Sequence, residues 1–202
     1  TNQNIKKFMN FIANFFSEHI FSINKLNYLN IEKIVDELSD LRENKGRLFF
    51  LGVGGSAGNA SHAVNDFRKL CGIECYAPTD NVSELTARTN DEGFQTIFSE
   101  WLKCSNLNNK DAIFIFSVGG GDKERNVSVN LISAIDYAKQ TNSKIFSIVG
   151  RKEGYAFKNS NISVLVETNN SKSITPHSES LQVSIWHSIV SHPKLQKIKT
   201  KW

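Results

Sequence analysis

The chain has 202 residues, 40% of them hydrophobic and 22% charged, with a formal net charge of +4. That length suits one domain with a substantial core, and the composition is ordinary for a soluble globular protein. No apolar run approaches a membrane span and the N-terminus lacks a signal-peptide pattern, so a membrane-embedded chain is excluded and a cytoplasmic one expected.

In chain order, Ile5, Phe8, Phe11, Ile12, Phe15, Phe16, Ile20 and Ile23 recur at helical spacing. This phenylalanine-rich helix reads either as an arm packed on its own domain or as a subunit-interface helix. Ile31, Ile34, Val35, Leu38 and Leu41 mark a second helix that ends near Lys45-Gly46. Leu48 to Leu51 is a short apolar run of the kind that forms a buried parallel strand. It opens into Gly52, Gly54 and Gly55, with Ser56 placed where a helix N-cap is wanted. Such a strand-to-helix turn offers amides at the positive end of a helix, a natural seat for phosphate, although a merely tight turn has the same composition. It is not a P-loop, because no Lys-Ser/Thr follows, and its last glycine comes one residue late for a dinucleotide fingerprint. On the helix that follows, His62 and Asp66 stand four residues apart and share one face.

Ile73 to Ala77 reads as a strand closed by Pro78-Thr79-Asp80-Asn81. Helices are expected over Val82 to Thr89 and Phe94 to Lys103, with Asn90-Asp91-Glu92-Gly93 between them. Ala112 to Ser117 is another buried strand, and it too runs into glycines, Gly119 to Gly121. Helix Val127 to Gln140, strand Lys144 to Val149, a turn from Gly150 to Gly154 and strand Ile162 to Glu167 follow. The last helix runs from about Pro176 to Ser191 and stops at His192-Pro193.

Alternating helices and strands predict a doubly wound α/β domain, a parallel sheet with helices on both faces. Ligands in such sheets sit beyond the carboxyl ends of the strands, so both glycine turns should face one crevice. One domain spans 1–202: N-terminal helices over 1–45, the sandwich over 46–193 and a basic tail over 194–202. Lys194, Lys197, Lys199 and Lys201 supply part of the positive surplus, read as a solvated tail and not as a nucleic-acid patch. Neither nucleic acid nor membrane is expected as a partner. Cys71, Cys75 and Cys104 are an odd set without metal-like spacing and read as reduced thiols.

Gly52-Val-Gly-Gly-Ser56, His62 with Asp66, the segment Asp80 to Phe94 and the terminal helix with His187 together resemble the sugar isomerase (SIS) domain. Within it the likeness is to phosphoheptose isomerases, and it covers nearly the whole chain. The resemblance implies a five-stranded parallel sheet and a homotetramer with active sites at subunit interfaces. It implies a sugar-phosphate substrate contacted by Gly54, Gly55, Ser56, Asn90, Asp91, Ser117, Gly119, Gly120 and Ser128. It also implies Zn2+ held by His62, Asp66, Glu179 and His187, with Asp66, His187 and Glu179 as catalytic groups. The implied reaction converts sedoheptulose 7-phosphate to D-glycero-D-manno-heptose 7-phosphate through an enediol, supplying heptose for lipopolysaccharide or capsule. The alternatives are an isomerase for another ketose phosphate, or a non-catalytic SIS module that binds a sugar phosphate or a protein such as the replication initiator.

Three departures stand out. Asp66 is one methylene shorter than the family's glutamate, Glu179 replaces a neutral glutamine, and the second turn, Ser117 to Ser128, is longer and more charged. Histidines outside the motif have plainer readings: His177 as a polar residue of the last helix's first turn, His192 at its end, and His19 packed or at an interface. Trp186 reads as core or interface packing.

Overall fold

The computed structural model describes residues 2–200, with side chains from residue 10 onward. Ile5 and Phe8 therefore lie on a described helix, but their side chains, like Lys201, are outside the described residues.

Five strands form one parallel sheet: β1 (Leu48–Leu51), β2 (Cys75–Tyr76), β3 (Ala112–Ser117), β4 (Lys144–Val149) and β5 (Ile162–Leu165). Their order is β2-β1-β3-β4-β5. The chain steps outward from β1 to β2 and then returns to β1's other side with β3. The order therefore reverses between β1 and β3, and a crevice opens at their carboxyl ends. Both glycine turns leave the sheet at this point, as the strand reading anticipated.

The helices are α1 (Asn2–Asn24), α2 (Tyr28–Glu43), α3 (Gly55–Cys71), α4 (Val82–Asp91), α5 (Ile97–Cys104), α6 (Val129–Gln140), α7 (Tyr155–Asn159) and α8 (Ile174–Val190). Short α7 falls between the turn expected over Gly150 to Gly154 and the strand expected from Ile162, where the sequence suggested no element. Five residues between Gly154 and Ser160 are too few for a periodic pattern to stand out.

Alternation along the strands sorts the core. Phe50, Phe114, Phe116 and Phe146 face α2, α3 and α8 on one side. Phe49, Leu51, Ile113, Ile115 and Val149 face α5, α6 and α7 on the other. The Phe50, Phe116 and Phe146 rings lie 5.1–5.9 Å from Phe114, within the range of favourable aromatic contact. Truncating such a buried ring to alanine typically costs about 3–5 kcal/mol.

Of two smaller expectations, the solvated tail changes and the reduced thiols hold. The tail is not wholly solvated: Leu195 is buried, the amides of Lys197 and Ile198 donate to the Leu70 carbonyl, and Arg42 holds the Leu195 carbonyl. The three cysteines are free thiols, and burial pushes Cys71 up to about 11 and Cys75 up to about 12. Among the described residues no helix is long and apolar enough to cross a membrane.

Candidate active site

The first glycine turn is tight for a local reason. A side chain on Gly52 would collide with the Ser56 carbonyl, 2.4 Å from an ideal Cβ, so the chain can enter α3 this closely only with glycine there. Gly54, at φ +64°, is the N-cap of α3. Ser56 is therefore not the cap that its position suggested. It lies inside the first turn of the helix and is buried. Two glycines ahead of it let the helix start earlier than the serine signal implied.

Two turns into α3, His62 and Asp66 meet His187 of α8. One ligand atom from each of the three lies within 4.8 Å of the others. Asp66 Oδ2 is 3.9 Å from His62 Nε2 and 3.6 Å from His187 Nε2. Asp66 Oδ1 accepts from Asn65 Nδ2 at 2.7 Å. His187 Nδ1 lies 2.9 Å from the Val183 carbonyl. A carbonyl only accepts, so Nδ1 carries the proton and Nε2 is left free to bind a metal or exchange a proton. Trp186 supports the pair from beneath, its ring 4.7 Å from that of His62 and 3.6 Å from that of His187. The two histidines remain about half exposed while Asp66 is largely covered. Two imidazoles and one carboxylate, converging with exchangeable nitrogens, are a donor set that fits a divalent transition metal with open positions.

Glu179 is not brought into this cluster. Eight residues of helix separate it from His187, about 12 Å along the axis. Its carboxylate lies against Gly55 at the start of α3, 2.6–2.7 Å from where a Cβ on that glycine would stand. The partial positive charge of a helix N-terminus favours a carboxylate there. The same stretch of α8 is tied to α3 by Asn59 Nδ2, which donates to the Glu179 carbonyl and to Gln182 Oε1.

The second turn is separate. Ser117 Oγ accepts from the Gly120 amide, and Gly120 and Gly121 have φ of +73° and +88°. Ser128 sits at the start of α6 in a left-handed conformation, φ +49°, without a side-chain cap bond. Residues 122–127 form a small turn closed by reciprocal Asp122–Val127 backbone bonds, and this is where the extra length goes. Asn90 and Asp91 lie exposed at the end of α4, where Asn90 Nδ2 donates to Asp91 Oδ1.

No family model matches the chain. It is 30% identical over 158 residues to the lincomycin biosynthesis protein LmbN of Streptomyces lincolnensis, covering 73% of this chain. It spans 56% of that protein's length. It is 26% identical over 162 residues to the phosphoheptose isomerase of Helicobacter pylori, covering 78% of this chain and 79% of that one. Its fold matches the phosphoheptose isomerase structure from Francisella tularensis with a TM-score of 0.77 at 21% identity, over 92% and 95% of the two chains. In sequence and in fold the chain is similar to phosphoheptose isomerases, as the SIS-domain resemblance implied.

The remaining histidines have structural places. His177 is fully buried, its Nε2 3.1 Å from Glu18 Oε2 and its Nδ1 3.1 Å from His19 Nδ1, and it ties α8 to α1. His192, beyond the end of α8, faces Glu32. The Val183 carbonyl and the Asn59–Gln182 bond escaped sequence reading. The first is a backbone group with no residue signature, and the second is an amide pair 123 positions apart.

Proposed function

We propose that this SIS domain is an aldose–ketose isomerase that interconverts sedoheptulose 7-phosphate and D-glycero-D-manno-heptose 7-phosphate. The observation that carries the reading is His187: its Nδ1 proton is committed to the Val183 carbonyl, and its free Nε2 faces Asp66 across 3.6 Å. A carboxylate beside an imidazole with one exchangeable nitrogen is what an enediol reaction requires. Asp66 takes the proton from the hydroxyl-bearing carbon next to the carbonyl. His187 Nε2, which carries no proton, takes the proton of the adjacent hydroxyl and passes it to the carbonyl oxygen. Return of the carbon proton to the neighbouring carbon, with loss of the other hydroxyl proton, completes the isomerisation without net gain or loss of atoms. Glu179, at the mouth of the first turn, is the alternative base.

His62, Asp66 and His187 would hold zinc, which when bound polarises vicinal substrate oxygens. Purified protein is expected to contain zinc, and His62→Ala should lower the metal content.

The assembly we propose is a homotetramer with sites at subunit interfaces. Phe11, Ile12, Phe16 and Ile20 of α1 are more than half exposed, α4 buries no residue, and the site histidines are half open. Each is a surface a second copy would cover. Light scattering should report an oligomer at micromolar concentration. The cellular setting that fits is the cytoplasm, with heptose supplied to lipopolysaccharide or capsule.

The deciding experiment is proton NMR with sedoheptulose 7-phosphate in D2O. Deuterium entry and an aldose product are expected, and their absence overturns the assignment for this sugar. An isomerase for another ketose phosphate is the second reading, favoured by the charged 122–127 insertion in the second turn.

A further inference from the structure

Helices α3 and α8 lie side by side and run in the same direction. Gly55 meets Glu179, Asn59 meets Gln182, His62 meets Trp186 and Asp66 meets His187, in matching order along the two. Most of what joins them is apolar: Ala60, Ala63 and Phe67 of α3 share one buried cluster with Leu181, Ile185 and Trp186 of α8. Apolar burial is non-directional, so it turns one face of α8 inward but fixes its position along α3 only loosely. Of the hydrogen bonds that cross this seam, the Cys71 thiol makes a weak one to the Val190 carbonyl at 3.6 Å. An amide pair makes the strong ones.

Asn59 Nδ2 donates to the Glu179 carbonyl at 3.0 Å and to Gln182 Oε1 at 2.9 Å. A backbone carbonyl only accepts, so the Asn59 group that faces it must be the amide nitrogen. That nitrogen in turn obliges Gln182 to present its oxygen. Gln182 is fully buried, and its Nε2 has no hydrogen-bond partner among the described residues. An unpaired buried donor costs stability, a cost that a methionine of the same length would avoid. What the glutamine provides in return is a fixed point between α3 and α8.

Both halves of the acid–base pair hang from that point. Asp66 stands seven residues past Asn59, close to two full turns, and so on the same face of α3. His187 stands five residues past Gln182. A slide of α8 by one residue's rise, about 1.5 Å, would disturb the 3.6 Å approach of His187 Nε2 to Asp66. It would also carry Glu179 off Gly55, because Asn59 holds the Glu179 backbone as well as the Gln182 side chain.

We infer that Asn59 and Gln182 are positioning residues that set the axial register of α8 on α3. That register holds His187 against Asp66 and Glu179 against the first glycine turn. The consequence for turnover rests on the isomerase reading, whereas the register itself does not.

Gln182→Met tests this, since it keeps the length of the side chain and removes the acceptor. Its melting temperature should stay at or above the wild-type value. In its crystal structure the Asp66 Oδ2–His187 Nε2 separation should grow by about 1 Å or more, a large part of one residue's rise. With a turned-over sugar phosphate, kcat should fall about 10- to 100-fold with KM nearly unchanged, the usual scale for a misplacement of about 1 Å. Asn59→Ala should act in the same direction, and the double variant should lose no more than Asn59→Ala alone, because the two changes remove a shared bond. Wild-type kcat in Gln182→Met overturns the proposal, as do additive losses in the double variant. A fall in kcat matched by a fall in melting temperature, with the 3.6 Å separation unchanged, marks a merely structural residue and overturns it too. If no form of the protein isomerises a sugar phosphate, the isomerase reading fails, and the crystallographic separation alone decides the register.

Discussion

The two glycine turns leave neighbouring strands at the same end of the sheet and look alike in sequence, yet the fold gives them opposite characters. At the first, glycine is a packing requirement. Gly52 touches the Ser56 carbonyl, and the Glu179 carboxylate closes over Gly55. At the second, Gly119 has open space around it, and arginines line the cavity in front. A carboxylate at one turn and guanidinium groups at the other set up a polar gradient across one crevice. The difference teaches that glycine content marks where backbone comes close to something, while neighbouring side chains decide what that something is.

The largest test of this contrast is chemical. Asp66→Asn should cut turnover by a factor of about 10² to 10⁴ if Asp66 is the base. Glu179→Gln should then cost far less, because its carboxylate stands at the turn and not in the His62–His187 cluster. If steady-state kinetics return the reverse order, the reacting carbon belongs at the first turn's mouth and the assignment of base moves to Glu179. A separate measurement of bound zinc tells a lost base from a lost ligand, since only the ligand variant is partly rescued by added metal.

The next test is steric. Gly52→Ala should destabilise the protein by about 1–3 kcal/mol, because the Ser56 backbone must move to admit the methyl group. Gly119→Ala meets nothing within 4 Å and should shift stability by less than about 0.5 kcal/mol in denaturant titrations. Equal losses at both positions would erase the distinction between a packed turn and an open one.

The smallest effect concerns how the first turn is held. Glu179 owes its place to the start of α8, where neighbouring His177 is pinned by Glu18 and His19 of α1. Burial, with His177 alongside, lowers His19 below the ordinary 6.5, so the docked helix binds fewer protons than the free one. Docking then weakens as pH falls below that value. Bonds from Asn170, Ser173 and His177 lower Glu18 below 4.5, a stabilisation present above that pH and lost as pH falls further. Both act in the same direction. Hydrogen exchange in α1 around residues 15–19, corrected for intrinsic rates, should therefore speed up between pH 7 and pH 5. His177→Gln should flatten that dependence. A pH-independent α1 would mean that the histidine contact does not hold the helix.

Much of this was legible in the residues because it is local. Apolar runs at Leu48 to Leu51 and Ala112 to Ser117 announced buried strands, since a parallel strand covered on both faces needs no polar alternation. His62 and Asp66 share a face through helix geometry alone, whatever α3 packs against. What the tertiary structure decided was non-local. The burial of Leu181, Ile185 and Trp186 against α3 and the sheet sets the rotation of α8. That rotation brings His187 to Asp66 and leaves Glu179 two helical turns away, at Gly55. In the same way, only the seating of the β4–α7 turn against the second glycine turn brought Arg151 to that cavity, 30 positions beyond Gly121. Spacing along a helix fixes which side chains share a face, but the docking of one element on another determines which faces meet.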